Sequence, residues 1–458
     1  MYADGIGREG VHRARRLDVR PAHTPAYMAL AIRTQGGRPA ACPAAGRERR
    51  LVGVRKLHTG RDKKRPGKRK ENSGTMKRLL AVLLAVMLTL GVLPMAMAEE
   101  AAAEPTKRVI LDTDMGYLND DAIVLFMLAQ ADSMGMCDFL GVTTVGGNSW
   151  VASGTTAALR QLELIGREDI PVYMGTDVPI MGFRNMAAER ELWGAPEYSG
   201  AYWDFSTGDF ADLSQRPTDY LDLPSEPRYG YAETPAQDEH AIDFIIEQVH
   251  KYPGEVTIFV IGAGTNMALA VRKDPTIVED AAAVYYMGGA IDIRGNSNAA
   301  AEFNWYYDPE GIKICLNSPW KDQLIVPNDI AEEVFYTKEI YDRIVENQGN
   351  AISNLIVEGQ KSRFEENPEA SSFVWDSIVA AVWLKPEIAT QIEERYVDVD
   401  TNYGMNYGRA IGWWTSRNRD VETGEGMPYG VQKCRVLFDI DREMFWDFYV
   451  EMLTTEVA

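Results

Sequence analysis

From residue 107 onward, short apolar runs alternate with stretches of helical periodicity. The runs predict strands at residues 108–112, 139–145, 256–261 and 283–287, and the stretches between them predict helices at residues 120–131 and 155–165. This alternation is typical of an α/β fold with a mainly parallel, doubly wound sheet that helices cover on both faces. A ligand of such a sheet lies beyond the carboxyl ends of the strands, where the unusual polar residues of this chain collect.

One long stretch, residues 182–239, interrupts the alternation. Its aromatic residues include Trp193, Tyr198, Tyr202, Trp203, Phe205, Tyr220, Tyr229 and Tyr231. A loop of this length inside a compact domain is usually functional or disordered, and the aromatic content argues against simple disorder. We therefore expect a lid-like insertion over the strand ends. The alternative is a structural excursion or a contact between subunits.

Residues 1–75 do not have the pattern of a folded domain. They are rich in Arg, Ala, Gly and Pro, and they carry 19 Lys and Arg against 6 Asp and Glu. We interpret them as a non-native extension that results from a start codon assigned too early. The alternative is a nucleic-acid-binding tail, for which the basic run at residues 61–70 would be the binding segment.

Residues 76–98 have the three parts of a secretory signal peptide. Basic residues follow Met76, an apolar run covers residues 79–93, and the small-x-small site at residues 96–98 precedes Glu99. We expect translation to begin at Met76, cleavage to follow Ala98, and the product to be secreted, extracellular or periplasmic. The apolar run is too short for a comfortable membrane span, although an uncleaved anchor is the alternative. A linker at residues 99–106 and a domain at residues 107–458 would follow.

The charge of the chain is distributed unevenly. The formal net charge is -20 at pH 7, but the residues after 75 hold 28 basic and 61 acidic side chains. Such an acidic body repels nucleic-acid phosphates, so we expect no nucleic-acid partner. A metal ion or a neutral or cationic small ligand is the better prediction.

Four carboxylates, Asp112, Asp114, Asp120 and Asp121, lie within ten residues at a predicted strand end and helix start. Carboxylates this close repel one another unless some are protonated or a cation holds them. Oxygen ligands favour calcium or magnesium over zinc. Capping of the following helix would account for one or two of the acids but hardly for all four. An aspartyl-phosphate phosphatase also begins with DxD after a strand, but no convincing GDxxxD segment follows here.

The chain resembles the inosine-uridine preferring nucleoside hydrolase family, which consists of calcium-dependent ribonucleoside hydrolases. The motifs that carry the resemblance are, in order, DTDMGYLNDDA, VTTVGGNSW, IPVYMGTDVP, VTIFVIGAGTNMALA, YYMGGAI, GNSNAAAEFNWYYDPEG and VWDSIVAAVWLKPEI. They span roughly residues 107–390, and the strand and helix expected at residues 434–453 also fit. The resemblance implies a sheet of nucleoside hydrolase type.

The resemblance also implies a metal site. Asp114, Asp121 and Asp376 would be carboxylate ligands of a calcium ion, the backbone carbonyl of Thr265 would join them, and Asp112 would support the site from close by. Seven or eight oxygen ligands suit calcium better than magnesium. In the chemistry that follows, Asp114 is the expected general base for the attacking water.

The substrate-binding residues implied by the resemblance surround that site. They are Asp120 and Asn304 at the ribose hydroxyls, Asn148 beside the metal near the sugar, Met287 packed near the sugar, and Asn296 and Glu302 at the 5′-hydroxyl end. As alternatives, the two asparagines Asn296 and Asn304 would only shape a loop, and Glu302 would be a surface acid.

The sequence departs from the family pattern at two places. Many members have a His before the last Asp ligand, where it protonates the leaving base, but this chain has Trp375. We expect Trp375 to contribute to catalysis by stacking on the base, with Trp193 or Trp203 on its other side; the alternative is simple packing in the pocket wall. Two extra residues within 117–119 lengthen the connection before Asp120 and would shift it relative to the ribose.

These features predict a secreted, calcium-dependent hydrolase that releases ribose and free base from nucleosides, with a purine bias suited to purine salvage. One alternative is a ribose- or nucleoside-binding protein with weak or lost catalysis. Another is a hydrolase of a different N-riboside. The expected partner is a small-molecule nucleoside, and the family implies a homo-oligomer, either a dimer or a tetramer.

Overall fold

The computed structural model of the protein describes residues 107–456. The predicted extension at residues 1–75, the signal peptide at 76–98 and the linker at 99–106 lie outside the described residues. No helix within the described range is both long enough and apolar enough to cross a membrane.

A nine-stranded sheet forms the centre of the fold. The strands in chain order are β1 (Arg108–Thr113), β2 (Asp138–Thr144), β3 (Val172–Met174), β4 (Trp203–Asp204), β5 (Asp209–Phe210), β6 (Val256–Val260), β7 (Ala283–Met287), β8 (Gln323–Val326), β9 (Phe335–Tyr336), β10 (Ser372–Phe373), β11 (Ala389–Val399), β12 (Ala410–Trp413) and β13 (Lys433–Ile440). The central sheet has the order β12-β11-β13-β8-β7-β6-β1-β2-β3, while β4–β5 and β9–β10 form separate two-stranded pairs.

Seven neighbouring strands of the sheet, from β13 to β3, are parallel, and β11 and β12 continue it in antiparallel pairing. The inner strands are apolar along their whole length because both faces are covered, and all five residues of β6 are buried. The predicted mainly parallel, doubly wound sheet is therefore confirmed.

Helices cover both faces. In chain order they are α1 (Asp120–Ser133), α2 (Val151–Leu164), α3 (Met186–Trp193), α4 (Ala241–Lys251), α5 (Thr265–Lys273), α6 (Ile277–Asp280), α7 (Phe303–Tyr307), α8 (Pro309–Leu316), α9 (Asn328–Ala331), α10 (Lys338–Glu346), α11 (Ala351–Glu366), α12 (Ser377–Leu384) and α13 (Arg442–Thr454). One core cluster joins the sheet to α1, α2 and α9 to α13, and a second joins it to α4, α5, α6 and α8. Along β1, Val109 and Leu111 enter the first cluster and Ile110 enters the second, as the alternation of a strand requires.

The strand order reverses between β1 and β6. From β1 the chain winds outward through β2 to β3, and it then returns to the opposite side of β1 at β6 before continuing to β7 and β8. The connections at the carboxyl ends of β1 and β6 diverge at such a switch point and leave a crevice between them. The acidic motif at residues 112–121 begins at this edge of the sheet.

The stretch at residues 182–239 is more regular than the sequence predicts. It contains α3, the β4–β5 pair and two short 3-10 helices at Gly200–Tyr202 and Leu213–Gln215. Arg184 and Glu189 form a buried ion pair within this segment. The segment is therefore fixed by contacts of its own, and it does not lie over the fold as an open loop.

Candidate active site

The end of β1 carries Asp112 into the interior of the molecule. The Thr143 hydroxyl and the Asn266 amide each donate a hydrogen bond to Asp112 Oδ1, at 2.7 and 2.8 Å. Burial raises the pKa of Asp112 to about 6, although both hydrogen bonds lower it. Because Thr143 lies on β2 and Asn266 on α5, Asp112 joins three elements behind the crevice, and its predicted support of a metal site stays a prediction.

Asp114 follows β1 and is also fully buried. The backbone N–H of Asn148 donates to its Oδ2 at 2.6 Å, whereas its buried Oδ1 has no hydrogen-bond partner. A Cβ on Gly147 would overlap the Asp114 carboxylate, so only glycine allows this close approach. Burial raises the pKa of Asp114 well above its ordinary value, and the neighbouring charge of Asp121 raises it further.

The first turn of α1 presents Asp120 and Asp121. Asn119 caps this helix by accepting a hydrogen bond from the Ala122 N–H. Asp121 is fully buried and receives three donors: the Thr113 hydroxyl at Oδ1, and the Asn119 and Asn148 amides at Oδ2, at 2.7 and 3.1 Å. The half-buried Asp120 has its pKa raised to about 7 by burial and then by the charge of Asp121.

Asp376 completes the cluster from the start of α12. Carboxylate oxygens of Asp120, Asp121 and Asp376 lie within 4.8 Å of one another. Burial raises the pKa of Asp376 well above its ordinary value, and the charges of Asp120, Asp121 and Asp114 add to the effect. The fold thus brings together acids that are far apart in the sequence.

The donor set of this cluster fits a hard cation. None of the ion pairs between residues 107 and 456 joins a Lys or Arg side chain to Asp112, Asp114, Asp120, Asp121 or Asp376. The partnerless Oδ1 of Asp114 is a free oxygen ligand at the same place. Uncompensated buried carboxylates are costly, and a bound divalent cation would remove that cost.

Thr265 begins α5 beyond the carboxyl end of β6. Its hydroxyl donates to Asp308 Oδ2 at 2.6 Å. Asp308 also accepts the backbone N–H groups of Ile180 and Gly311, both at 3.0 Å, so it ties three segments together. The structure therefore places Thr265 at the switch point, and its predicted carbonyl ligation of a metal stays a prediction.

Asn304 lies in α7 and faces the carboxyl ends of two strands. Its amide donates to the carbonyl oxygens of Ile261 at 2.9 Å and Met287 at 3.3 Å. The Met287 sulfur lies 3.5 Å from the same amide nitrogen. Asn304 and Met287, both predicted to lie near the sugar, are thus brought together.

Glu302 caps α7 and is buried, so the alternative of a surface acid is wrong. Its carboxylate accepts the backbone N–H groups of Gly289 and Asn304 at 2.8 Å and of Trp305 at 3.1 Å. Burial raises its pKa to about 7 even though these hydrogen bonds lower it.

Asn296 lies in the loop before α7. Its Oδ1 accepts the Phe303 N–H at 2.9 Å, which is the contact expected of a loop-shaping residue. This hydrogen bond does not exclude the predicted role at the 5′-hydroxyl end, because the side-chain amide nitrogen is a second polar group.

Trp375 immediately precedes Asp376 and is half-buried. Its ring packs edge-on against Phe373 with centroids 5.2 Å apart, and its buried Nε1 has no hydrogen-bond partner. The predicted stacking partners are engaged elsewhere: Trp193 packs against Tyr403 and Trp203 against Phe210.

The aromatic residue that links the 182–239 segment to the site is Tyr198. Its hydroxyl donates to Asn148 Oδ1 at 2.7 Å, and the Ala201 N–H in the same segment donates to the Gly147 carbonyl at 2.8 Å. The Asn148 amide is thereby oriented so that its nitrogen faces Asp121. The segment therefore reaches the acidic cluster through Asn148, and its role as a lid stays a prediction.

Five residues of the site have no role predicted from the sequence: Thr113, Asn119, Tyr198, Asn266 and Asp308. Asn119 carries a usable signal, because an Asn directly before an acidic first turn is a preferred helix cap. Thr113 and Asn266 adjoin predicted ligands. Tyr198 and Asp308 meet their partners only through the fold, so no local pattern identifies them.

The sequence similarities cover most of the described chain. A family profile described as inosine-uridine preferring nucleoside hydrolase matches residues 109–447. The chain is 30% identical over 317 residues to an uncharacterised protein of Schizosaccharomyces pombe, covering 67% of this chain and 89% of that one. It is 27% identical over 311 residues to the pyrimidine-specific ribonucleoside hydrolase RihB of Escherichia coli, covering 67% and 87% of the two chains.

The fold is similar to that of the plant nucleoside hydrolase PpNRh1. The TM-score is 0.60 at 26% sequence identity, and the match covers 77% of this chain and 100% of the plant chain. The profile match extends from β1 into α13 and includes every predicted site residue. The chain therefore belongs to the inosine-uridine preferring nucleoside hydrolase family, and it is an enzyme of the class that hydrolyses the N-glycosidic bond of ribonucleosides.

Proposed function

We propose that the protein hydrolyses the N-ribosidic bond of nucleosides in a calcium-dependent reaction, with a bias toward purine nucleosides. The observation that carries the proposal is the cluster of Asp114, Asp120, Asp121 and Asp376, which are brought together without a Lys or Arg partner among the described ion pairs. A calcium ion would be held by Asp114, Asp121, Asp376 and the Thr265 carbonyl, and when bound it would orient a water and lower the pKa of that water.

The cleavage itself builds positive charge on the ribose, as glycoside hydrolysis does generally. Buried carboxylates stabilise that charge strongly because little water screens them. Asp114 accepts the proton of the attacking water, and the Asn148 N–H at 2.6 Å keeps the other carboxylate oxygen in place.

Positioning of the sugar falls to groups on three elements. Asp120 on α1 and Asn304 on α7 would bind ribose hydroxyls, and Glu302 at the start of α7 would hold the 5′-hydroxyl end with Asn296. Anchoring the diol holds the anomeric carbon in line with the water, which converts binding energy into orientation.

Trp375 is the basis for the proposed purine bias. A half-buried indole next to Asp376 offers a large flat surface, and a purine has more ring area to stack than a pyrimidine. Stacking contributes on the order of 1 kcal/mol per aromatic pair beyond the burial of area. The pyrimidine specificity named for RihB makes base preference a matter for direct measurement on this chain.

The experiment is to incubate the protein with inosine, guanosine, uridine and nicotinamide riboside and to measure the release of ribose. We expect release to be fastest for the purine nucleosides, to stop with a calcium chelator and to return with added calcium. Asp121→Ala should abolish release, whereas Asp238→Ala, which changes an exposed acid, should not.

Three results would count against the proposal. No ribose from any of the four compounds would contradict hydrolysis, and binding of nucleoside without release would support the alternative of a binding protein. Release that is insensitive to the chelator and to Asp121→Ala would contradict the metal role. Release from nicotinamide riboside alone would instead support a hydrolase of a different N-riboside.

We also propose that residues 76–98 direct secretion and are removed after Ala98. The support is the basic, apolar and small-residue pattern of that segment. Mass spectrometry of the amino terminus of the exported protein should find Glu99. An amino terminus before residue 76 would contradict the proposed start.

A homo-oligomer, either a dimer or a tetramer, completes the proposal. Its support is the family to which the chain belongs. Light scattering of the purified protein during size-exclusion chromatography should give two or four times the mass of one chain, and a mass of one chain would contradict it.

A further inference from the structure

The residues between Gly116 and Asp120 form a strained bridge from β1 to α1. Leu118 has a φ of 51°, and it is the only residue other than glycine with a positive φ between residues 107 and 456. Side chains with a Cβ rarely adopt this conformation, so surrounding contacts must maintain it. Two of these three residues make the motif DTDMGYLNDDA longer than the common family pattern.

A buried glutamine holds the bridge. Gln161 of α2 accepts the Leu118 N–H at its Oε1 at 2.8 Å and donates from Nε2 to the Gly116 carbonyl at 3.0 Å. The same Nε2 also lies 3.1 Å from the Ala157 carbonyl. The Leu118 side chain packs against Gly359 of α11, so closely that a Cβ at position 359 would overlap it. The backbone before and at Leu118 is thus clamped between two helices.

The clamp, formed by Gln161 and Gly359, holds the backbone next to Asn119, whose side chain has a single orientation. Its Oδ1 accepts the Ala122 N–H at 3.2 Å and the Gly116 N–H at 3.3 Å. Because both donors lie on the oxygen side, the amide nitrogen must point the other way, and it donates to Asp121 Oδ2 at 2.7 Å. One side chain therefore caps α1 and directs a hydrogen bond into the acidic cluster.

Asp121 is left with little freedom. A carboxylate offers about four lone-pair directions, and donors from Thr113, Asn119 and Asn148 take three of them. The direction that remains is on Oδ1, which the Thr113 hydroxyl shares. The hydrogen bonds fix the plane of the carboxylate and limit the contact that a cation can make with it.

We propose that Asn119 is a positioning residue for Asp121. The clamped bridge at Leu118 holds the Asn119 amide against the carboxylate, which presents Asp121 to a cation in one orientation. The inference rests on the proposed calcium-dependent function, and it assigns a task to the residues by which this chain exceeds the common motif. Hydrogen-bonding partners behind a metal ligand typically change metal affinity or activity by 10- to 100-fold when they are removed.

The test uses Asn119→Ser in the full chain. Serine caps helices about as well as asparagine, but its short side chain lacks the amide that reaches Asp121. The matched control is Asn350→Ser, because Asn350 caps α11 and its amide donates to the Thr455 carbonyl at 2.9 Å, outside the acidic cluster. Calorimetric titration with calcium chloride gives the metal affinity without substrate, and ribose release from inosine gives kcat/KM.

We expect Asn119→Ser to weaken calcium binding and to lower kcat/KM, each by about 10- to 100-fold. The melting temperature in chelator should fall no further than it does for Asn350→Ser, whose calcium affinity should equal that of the wild type. A second variant, Gln161→Met, removes the clamp at similar volume and should weaken calcium binding in the same direction but less strongly.

The outcomes separate the two proposals. A wild-type protein that neither binds calcium nor releases ribose overturns the proposed function and this inference together. If the wild type does both and Asn119→Ser retains its calcium affinity and kcat/KM, only the positioning role is overturned. Wild-type affinity in Gln161→Met would show that Asn119 keeps its place without the clamp, which overturns that part of the proposal.

Discussion

Glu189 and Asp376 are buried almost equally, with 2% and 3% of their surface exposed, but their surroundings differ in charge. Two nitrogens of Arg184 bond to Glu189, and the hydroxyls of Tyr306 and Tyr403 donate to it at 2.8 and 3.0 Å. Asp376 has acids as its charged neighbours. Burial raises both pKa values, but the Arg184 contacts hold the pKa of Glu189 below its ordinary value, whereas that of Asp376 is well above.

The difference shows that burial alone does not decide how a carboxylate behaves in this fold. Where a buried acid ties the 182–239 segment to α7, the chain supplies its own guanidinium. At the switch point of the sheet, by contrast, the charged neighbours of Asp376 are further carboxylates. The first arrangement has its counter-charge within the chain, whereas the second has none among the described residues.

The largest expected effect comes from Asp376→Asn. Removing a proposed ligand should lower kcat/KM by about 10³-fold, equivalent to about 4 kcal/mol of barrier, because metal stabilisation of charge contributes several kcal/mol. The calcium-free protein should at the same time become more stable, since one buried like charge is lost. Kinetics and urea unfolding in chelator measure the two effects. A kcat/KM near that of the wild type would contradict the proposed role of Asp376 as a metal ligand.

Arg184→Met should act in the opposite way. It leaves Glu189 buried without its cation, which typically costs about 3–5 kcal/mol of unfolding free energy. Calcium affinity should not change, because Arg184 does not contact the acidic cluster. The double variant Arg184→Met with Glu189→Leu should recover most of the lost stability in urea unfolding. If the double variant is as unstable as the single one, the uncompensated charge is not the cause.

Glu302 is an intermediate case, because it has three backbone donors but no cation. Its pKa in the folded state, about 7, lies above the ordinary value of 4.5, so folding favours the protonated form. Its contribution to stability is full below about pH 4.5 and is lost as the pH rises through 7, by about 3 kcal/mol in the calcium-free protein. Urea unfolding at a series of pH values should show this loss, and Glu302→Gln should remove it, which flattens the pH dependence of the unfolding free energy between about pH 4.5 and 7. An unchanged slope would argue against the raised pKa.

Glu189→Gln should change the pH dependence with the other sign. The lowered pKa of Glu189 means that its stabilising charge is present at neutral pH and is lost as the pH falls through the folded-state pKa. The variant should therefore be less sensitive to acid than the wild type. The two glutamates together test whether the counter-charge, and not the depth of burial, decides if the pKa of a buried acid is raised or lowered.

The smallest effect should come from Tyr198→Phe. The variant removes one hydroxyl donor from Asn148 and should lower kcat/KM about fivefold, equivalent to about 1 kcal/mol, which is the usual net value of one hydrogen bond. Tyr403→Phe removes one donor from Glu189. It should lower the free energy of unfolding by about 1 kcal/mol and leave kcat/KM unchanged. Equal kinetics in the two variants would mean that Tyr198 has no special connection to the site.

Local sequence patterns predict most of the fold. The strand β7 has the predicted bounds, and α1 begins at the predicted Asp120, because a buried strand and an acidic first turn are local signals. Helix α2 begins at Val151, before the predicted residue 155, because Asp177 Oδ1 accepts the Val151 N–H at 2.8 Å. That cap comes from a distant part of the chain, which periodicity cannot detect.

The site is predictable to a different extent. The acids of the motif are evident from their spacing, and the family resemblance adds Asp376, which the structure brings to Asp120 and Asp121. Asp121 receives hydrogen bonds from Asn119 and from Asn148, and Tyr198 in turn donates to Asn148. Such contacts are set by the fold in three dimensions, so neither composition nor spacing reveals them.

The position of Asp376 determines when the site can exist during synthesis. Asp121 leaves the ribosome early, and β6, which pairs beside β1, follows after β2 and β3. Asp376 follows only after six of the nine strands of the sheet have been made. Long-range pairing of this kind is slow to form. Any nascent or truncated chain that ends before α12 lacks one of the proposed calcium ligands, so under the proposed function calcium uptake would report that synthesis has passed that helix.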